Sequence, residues 1–539
     1  MHFSNLMLRA SALRPVTAIL VSAFLALVGT ALHAAEPEGR IVKVENGSLR
    51  GLQQKGVQTF LGIPYGKSTG GDMRWKPPVP AKSWTGVRAA TAPAPVCFQG
   101  KVNLFGPYTP EFMIDDRNMS EDCLYLNVWT PAKRANKLPV LFYIHGGGFG
   151  EGSGTIPIYN GEGLASRGAV VVTINYRLGA FGFLAHPELT AEAGTSGNYG
   201  IQDMVAALKW VQANISSFGG DSQKVTIVGQ SAGAAAVNAL LFAPQAKGLF
   251  QRAVAMSGSG PGFPMTTFKD AQDNGIKLQT KAGVASLKEL RALPAQAIYE
   301  ASKQPPMKRG EGLPPIGFGD IADGVTLVAT GSSLGEKIQS PVPLMTGFLA
   351  DEAFMPGADQ LSPTEFEADL QKRFGGMAER FSKLYPHATG AEAQQSYRLL
   401  ARDRSTFNVL NWAQDRTSKT GQPIYIYLYD HPYPAADGKD FGAFHTSEVP
   451  ILMGALGLGG RNFTDKDRAV SRQMQDHWLA LMKNAAPGIS KDSWRPVDAT
   501  SKTVMGLGDT YGPRQAVSTQ ERYEAFRDFV AGGGKLTLF

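Results

Sequence analysis

The sequence predicts an α/β architecture, a large and mostly parallel sheet flanked by helices, with helical insertions. Three observations point to it. Apolar runs recur along the whole chain, at 140–144, 170–174, 225–228, 253–255, 343–345 and 424–429. They are nearly continuous in hydrophobicity, which suits strands covered on both faces. Helical patterns lie between them. Ile201, Met204, Val205, Leu208 and Val211 share one face at helical spacing. Ser286-Leu287-Lys288-Glu289 and Ser362-Pro363-Thr364-Glu365 both read as capping boxes, and the helix after the second should end near Gly375-Gly376.

The elements follow in chain order. Residues 1–34 read as a removable export signal. Arg9 and Arg14 supply a basic start, 16–32 is apolar but short for a membrane span, and Ala31-Leu32-His33-Ala34-Ala35 offers cleavage after Ala34 or Ala35. Its removal takes the formal net charge from +7 to +5, because only Arg9 and Arg14 leave. No later stretch approaches a span of about 18 apolar residues, so no membrane span is expected after signal removal. The runs 41–44 and 49–52 flank Asn46-Gly47, a hairpin signal. The run 424–429 is read as the last strand. A length of 539 residues would suit several domains. No linker, repeat or low-complexity block divides the chain, so 35–539 reads as one domain, with 262–340 and 355–420 as inserted, pocket-forming material. Charged residues make up 18% of the chain and form no long basic block, which excludes a nucleic-acid face. Cys97 and Cys123 are the only cysteines, and in an exported chain such a pair reads as one disulfide.

The run 225–228 leads into Gly229-Gln230-Ser231-Ala232-Gly233 and then into a small-residue helix. Strand, sharp turn and helix, with a serine at the apex, make a nucleophile elbow, in which side chains at 229 and 233 would clash. A second copy of the five-residue pattern, Gly331-Ser332-Ser333-Leu334-Gly335, has no room for a long helix before Pro341, so Ser333 reads as a loop serine. A serine hydroxyl needs a base and an oxyanion donor set. The donor set reads from His145-Gly146-Gly147-Gly148-Phe149-Gly150, which follows a buried strand. Gly147, Gly148 and Ala232 are the assigned oxyanion amides. A phosphate loop would want a following Lys-Ser/Thr, which is absent. His145 reads as a structural hydrogen-bonder.

Among the remaining histidines, His186, His387 and His431 adjoin prolines, and His477 lies in a helical pattern. His445 follows the run 424–429, in Gly442-Ala443-Phe444-His445-Thr446-Ser447-Glu448. The acid should lie between Ser231 and that histidine, at a strand end. Asp351 and Glu352 compete for that role after the run that begins at 343.

Further motifs are Gly62-Ile63-Pro64-Tyr65-Gly66, Arg74-Trp75-Lys76-Pro77-Pro78, Ser120-Glu121-Asp122-Cys123-Leu124-Tyr125-Leu126-Asn127, Asn175-Tyr176-Arg177-Leu178-Gly179, Gly197-Asn198-Tyr199-Gly200 and Phe218-Gly219-Gly220-Asp221. With the elbow, these resemble the type-B carboxylesterase family, the cholinesterase-like branch of the α/β hydrolases, over nearly all of the mature chain. The resemblance implies the α/β-hydrolase fold and a serine esterase acting on small-molecule carboxylic esters, and the export signal makes it a secreted or periplasmic one. It implies Ser231 as nucleophile, His445 as base and Glu352, five residues after Gly347, as the acid. Ser257 matches a supporting serine, and Cys123 matches the second cysteine of the family's first disulfide. This chemistry calls for no cofactor and no metal. Departures are Leu349 and Ala353 where the family usually has Asn and Gly, and Gln230 where glutamate is commoner. The alternatives are the same triad acting on an amide, thioester or carbamate, or a non-catalytic binding protein of the kind the family also contains. The aromatic-rich loop around Phe105, Pro107, Tyr108, Phe112 and Met113 is expected to form a rim or lid. Met113 occupies the place, ten residues before Cys123, where cholinesterases resemble one another in carrying a choline-binding tryptophan. No preference for choline esters is therefore expected.

Overall fold

Runs of β-branched and aromatic residues form the centre of the molecule, in a computed structural model that describes residues 38–260, 266–303, 317–352, 361–435, 438–490 and 494–536. The expected signal at 1–34 lies outside these residues. A 13-stranded sheet organises the chain. Leu138–Ile144 pairs in parallel with Val170–Ile174 on one side and Gly220–Gln230 on the other. Arg252–Met256, Leu344–Leu349, Ile424–Tyr429 and Thr503–Leu507 continue outward, each parallel to the last. The rims are antiparallel, with Tyr125–Pro131 beside Val170–Ile174 and Gly512–Gln515 closing the far edge.

Residues 170–174, 344–349 and 424–429 are buried without interruption, as strands covered on both faces must be. The alternation of a strand sends neighbouring side chains to opposite faces. Phe142 packs into one core cluster with Ile201, Met204, Leu208 and Val211 of the helix Tyr199–Asn214. Leu141 and Tyr143 pack into the other with Trp478 of the helix Asp465–Asn484. Because the inner strands are parallel, their carboxyl ends meet along one edge, where an open α/β sheet places its ligand site.

Several details differ from the expectations. The strands Thr503–Leu507 and Gly512–Gln515 extend the sheet beyond Ile424–Tyr429. Gly506 interrupts the short apolar stretch Val504 to Leu507, which hides it from a pattern search. The hairpin turn is Glu45-Asn46, since Val44 pairs with Gly47 and Gly47 opens the second strand. Ser286 caps its helix through the Glu289 amide, but the Glu289 side chain accepts from Ala285 rather than from Ser286. The Ser362 capping box is complete, and its helix ends at Gly375. The helix Gly390–Thr420 lies in the second insert, yet Val409, Leu410, Trp412 and Ala413 belong to the main core. Of the loop aromatics, Phe112 is 7% exposed and packs against Phe444 and Tyr433, so it lies beneath the loop and not on a rim.

Cys97 and Cys123 are bonded, with an S–S distance of 2.09 Å, and both are buried. Among the described residues, no helix is long and apolar enough to cross a membrane. The bond closes a loop with a sequence separation of 26. Replacing both cysteines by alanine should lower stability by about 3–4 kcal/mol through restored loop entropy in the unfolded chain. Urea unfolding of the two proteins side by side measures this, and equal midpoints would refute it.

Candidate active site

The strand Gly220–Gln230 ends in a turn that the backbone holds tightly. Ser231 sits at φ 58°, ψ −124°, and its amide donates to the Met256 carbonyl at 2.9 Å. The helix Ala232–Leu240 starts at the next residue, and the Ser231 carbonyl accepts from the amides of Ala234 and Ala235 at 2.9 and 3.0 Å. Strand, helix and donor loop approach so closely that only glycine fits. A Cβ on Gly229 would stand 2.2 Å from the Gly233 oxygen, and one on Gly233 would stand 2.1 Å from the Ile144 oxygen. Small residues on the first helical turn therefore serve packing, and the positive end of the helix faces the serine.

The strand Leu138–Ile144 runs into the glycine loop. Gly147 and Gly148 have φ of 101° and 60°. Among the described residues the amides of Gly147, Gly148 and Ala232 have no acceptor. The loop lies against the serine, because a Cβ on Gly146 would come within 2.9 Å of the Ser231 Cβ. His145 is 1% exposed, and its ring stacks on Tyr176 with centroids 4.4 Å apart. Its Nδ1 lies 2.8 Å from the Gly146 oxygen, and burial pushes the imidazole down to about 4, so it stays neutral. The Asn175-Tyr176 motif braces this loop. The Tyr176 hydroxyl donates to the His145 oxygen at 2.9 Å, and the Asn175 side-chain oxygen Oδ1 accepts from the Gly154 amide at 2.9 Å.

The strand Leu344–Leu349 delivers both competing carboxylates, and the structure separates their surroundings. Asp351 accepts from the Ala443 amide at 2.9 Å and so pins the histidine loop by its backbone. Glu352 lies 2.6 Å through Oε2 from His445 Nδ1. Its other oxygen accepts from the Leu349 amide at 3.0 Å and from the Ser257 hydroxyl. Ser257 is wholly buried. Its φ is 55° and its amide donates to the Gly347 oxygen at 2.8 Å, which aims the hydroxyl at Glu352. With Nδ1 directed at a carboxylate, the His445 lone pair falls on Nε2. That nitrogen stands 3.0 Å from the Gln230 amide nitrogen, beside Ser231.

Glu448, three residues after His445, is fully buried, and burial together with the Glu352 charge holds its carboxyl well above the usual carboxylate range. The other candidates lie elsewhere. His186 caps the helix Pro187–Ala193, His477 lies 2.8 Å from the Pro487 oxygen, and Ser333 sits in a turn 3.3 Å from Glu336. Two contacts were not read from the sequence. Gln230 neighbours the elbow serine, which was the signal available for its contact with His445. Nothing in the pattern around Tyr108 pointed to its bond with the histidine loop. Among the described residues no group of His, Cys, Asp and Glu is arranged to hold a metal ion.

The sequence profile described as "Carboxylesterase family" matches residues 38–526. The chain is 33% identical over 522 residues to the fumonisin B1 esterase of Sphingopyxis macrogoltabida, covering 94% of this chain and 93% of that one. It is 34% identical over 503 residues to the para-nitrobenzyl esterase of Bacillus subtilis (strain 168), covering 90% and 98%. A solved PNB esterase structure superposes with a TM-score of 0.74 at 32% identity, over 90% of this chain and 100% of that one. The sheet order and its helices are those of the α/β-hydrolase fold. The chain belongs to the carboxylesterase family.

Proposed function

We propose that the protein is a serine carboxylesterase that hydrolyses small-molecule carboxylic esters through an acyl-enzyme on Ser231. One observation carries the reading: Glu352 lies 2.6 Å from His445 Nδ1, and the opposite ring nitrogen faces the residue next to Ser231. Ser231 attacks the ester carbonyl while His445 Nε2 takes its proton. The amides of Gly147, Gly148 and Ala232 receive the developing oxyanion, worth roughly 3–4 kcal/mol per donor in comparable sites. His445 then returns the proton to the leaving alcohol, and water repeats the cycle on the acyl group. Glu352 fixes the tautomer of His445 and stabilises its imidazolium form. Ser257 and the Leu349 amide hold the carboxylate that does this.

Residues 35–539 act as one unit after removal of a signal at 1–34. Export to the periplasm or the medium agrees with the closed Cys97–Cys123 bond, since oxidising compartments keep such bonds. Met113 stands where the resemblance implies a choline-binding tryptophan. This residue caps the short helix Pro110–Phe112 and is half-buried. A thioether is a soft apolar wall without a negative ring face.

Ser231→Ala should lower turnover of p-nitrophenyl acetate by about 10⁴-fold or more while the unfolding midpoint stays put. Turnover retained in that variant would refute the nucleophile. Glu352→Gln should lower kcat on the order of 10³–10⁴-fold, and Asp351→Asn far less. The reverse ranking would mean that the other carboxylate orients the base. Acetylcholine and the isosteric neutral ester 3,3-dimethylbutyl acetate should show equal kcat/KM. A clear advantage for the charged ester would place a cation site elsewhere in the pocket.

A further inference from the structure

The loop closed by Cys97 and Cys123 reaches the histidine loop by more than proximity. The Tyr108 hydroxyl donates to the His445 backbone carbonyl at 3.0 Å. That carbonyl belongs to the peptide joining His445 to Thr446, and Thr446 has φ 83°. A β-branched residue rarely adopts this conformation, so the turn needs outside bonds to keep it. Burial pushes the Tyr108 phenol up, and the Glu352 charge pushes it further, so the hydroxyl keeps its proton at neutral pH.

The tyrosine is itself held. Its ring meets Phe444 and Phe112 edge-on, with centroids 5.6 and 5.9 Å away. Phe112 closes the cluster on Tyr433 at 5.6 Å. Below it, Arg461 fastens the same segment. Its guanidinium lies 2.6 Å from Glu111, 2.6 Å from the Thr109 hydroxyl and 3.3 Å from the Pro107 oxygen. Arg461 and Glu111 are 2% and 4% exposed, so this pair is screened from solvent and stiff. Residues 107–112 are thus fixed on both sides of Tyr108, whose hydroxyl touches the backbone of His445.

We infer that the disulfide loop is a bracket for the base, in which Tyr108 is a positioning residue that holds the His445–Thr446 peptide and with it the direction of the imidazole. The inference rests on the esterase reading above and adds a residue that acts on His445 without touching substrate. A bracket of this kind acts on proton transfer, which occurs in the chemical steps, and leaves the pocket walls as they were.

Tyr108→Phe deletes the hydroxyl and keeps the ring packing, so folding is preserved. With p-nitrophenyl acetate, kcat should fall roughly five- to tenfold, as for loss of one hydrogen bond to the catalytic geometry, with KM unchanged. The rate of Ser231 modification by a fluorophosphonate should fall in parallel, since that step needs the same base. Wild-type kcat in Tyr108→Phe, or a loss confined to KM, would overturn the bracket. Ser231→Ala, measured alongside, separates the two readings. An inactive Ser231→Ala with a fully active Tyr108→Phe sinks the bracket alone, whereas an active Ser231→Ala sinks the esterase mechanism and the bracket with it.

Discussion

The site depends on a backbone conformation that the chain would not adopt by itself. Ser231 at φ 58°, ψ −124° lies in a region that costs about 1–3 kcal/mol for a residue with a side chain. The surrounding packing imposes it. The Gly220–Gln230 strand is locked between parallel neighbours, and the Ala232–Leu240 helix is drawn against the Ile144 oxygen, where a Cβ at Gly233 would clash at 2.1 Å. The turn between them has no other way to run. The half-buried serine then stands at the carboxyl edge of the sheet, and each neighbouring strand delivers its own part to the same edge. Leu138–Ile144 brings the donor loop, Leu344–Leu349 brings Glu352, and the stretch after Ile424–Tyr429 brings His445.

Charge around this turn is sparse and directed. Two buried titratable groups of this region, His145 and Glu448, are shifted toward their neutral forms. Burial holds His145 down to about 4 and Glu448 well above the usual carboxylate range. Gln230 adds an amide where a carboxylate would add charge. Glu352 is the carboxylate that meets the imidazole, and it is tied by a backbone amide and the Ser257 hydroxyl. In the proposed mechanism, a partner fixed in this way would not have to reorganise as the imidazolium forms.

Much of this was legible because the constraints are local. The elbow, the glycine loop and the central strands each carry a short pattern with a physical cause, close packing in the first two and burial on both faces in the third. The choice between Asp351 and Glu352 was not local. Both follow one strand, and only their distant partners, Ala443 and His445, tell them apart. The resemblance supplied that choice where the pattern could not. Long-range contacts without a pattern stayed hidden. The late strand Thr503–Leu507 is short and interrupted by glycine, and the bond from Tyr108 to His445 joins residues 337 apart. Phe112 reads as a rim residue from its place in the aromatic-rich disulfide loop, but the rings of Phe444 and Tyr433 lie against it.

The most direct measurement is to react the folded protein with a fluorophosphonate until ester turnover stops, then digest it and locate the adduct by mass. The account predicts one adduct per chain, on the peptide that carries Ser231 and on that serine. An adduct on Ser257 or Ser333, or inactivation with Ser231 unmodified, would contradict it.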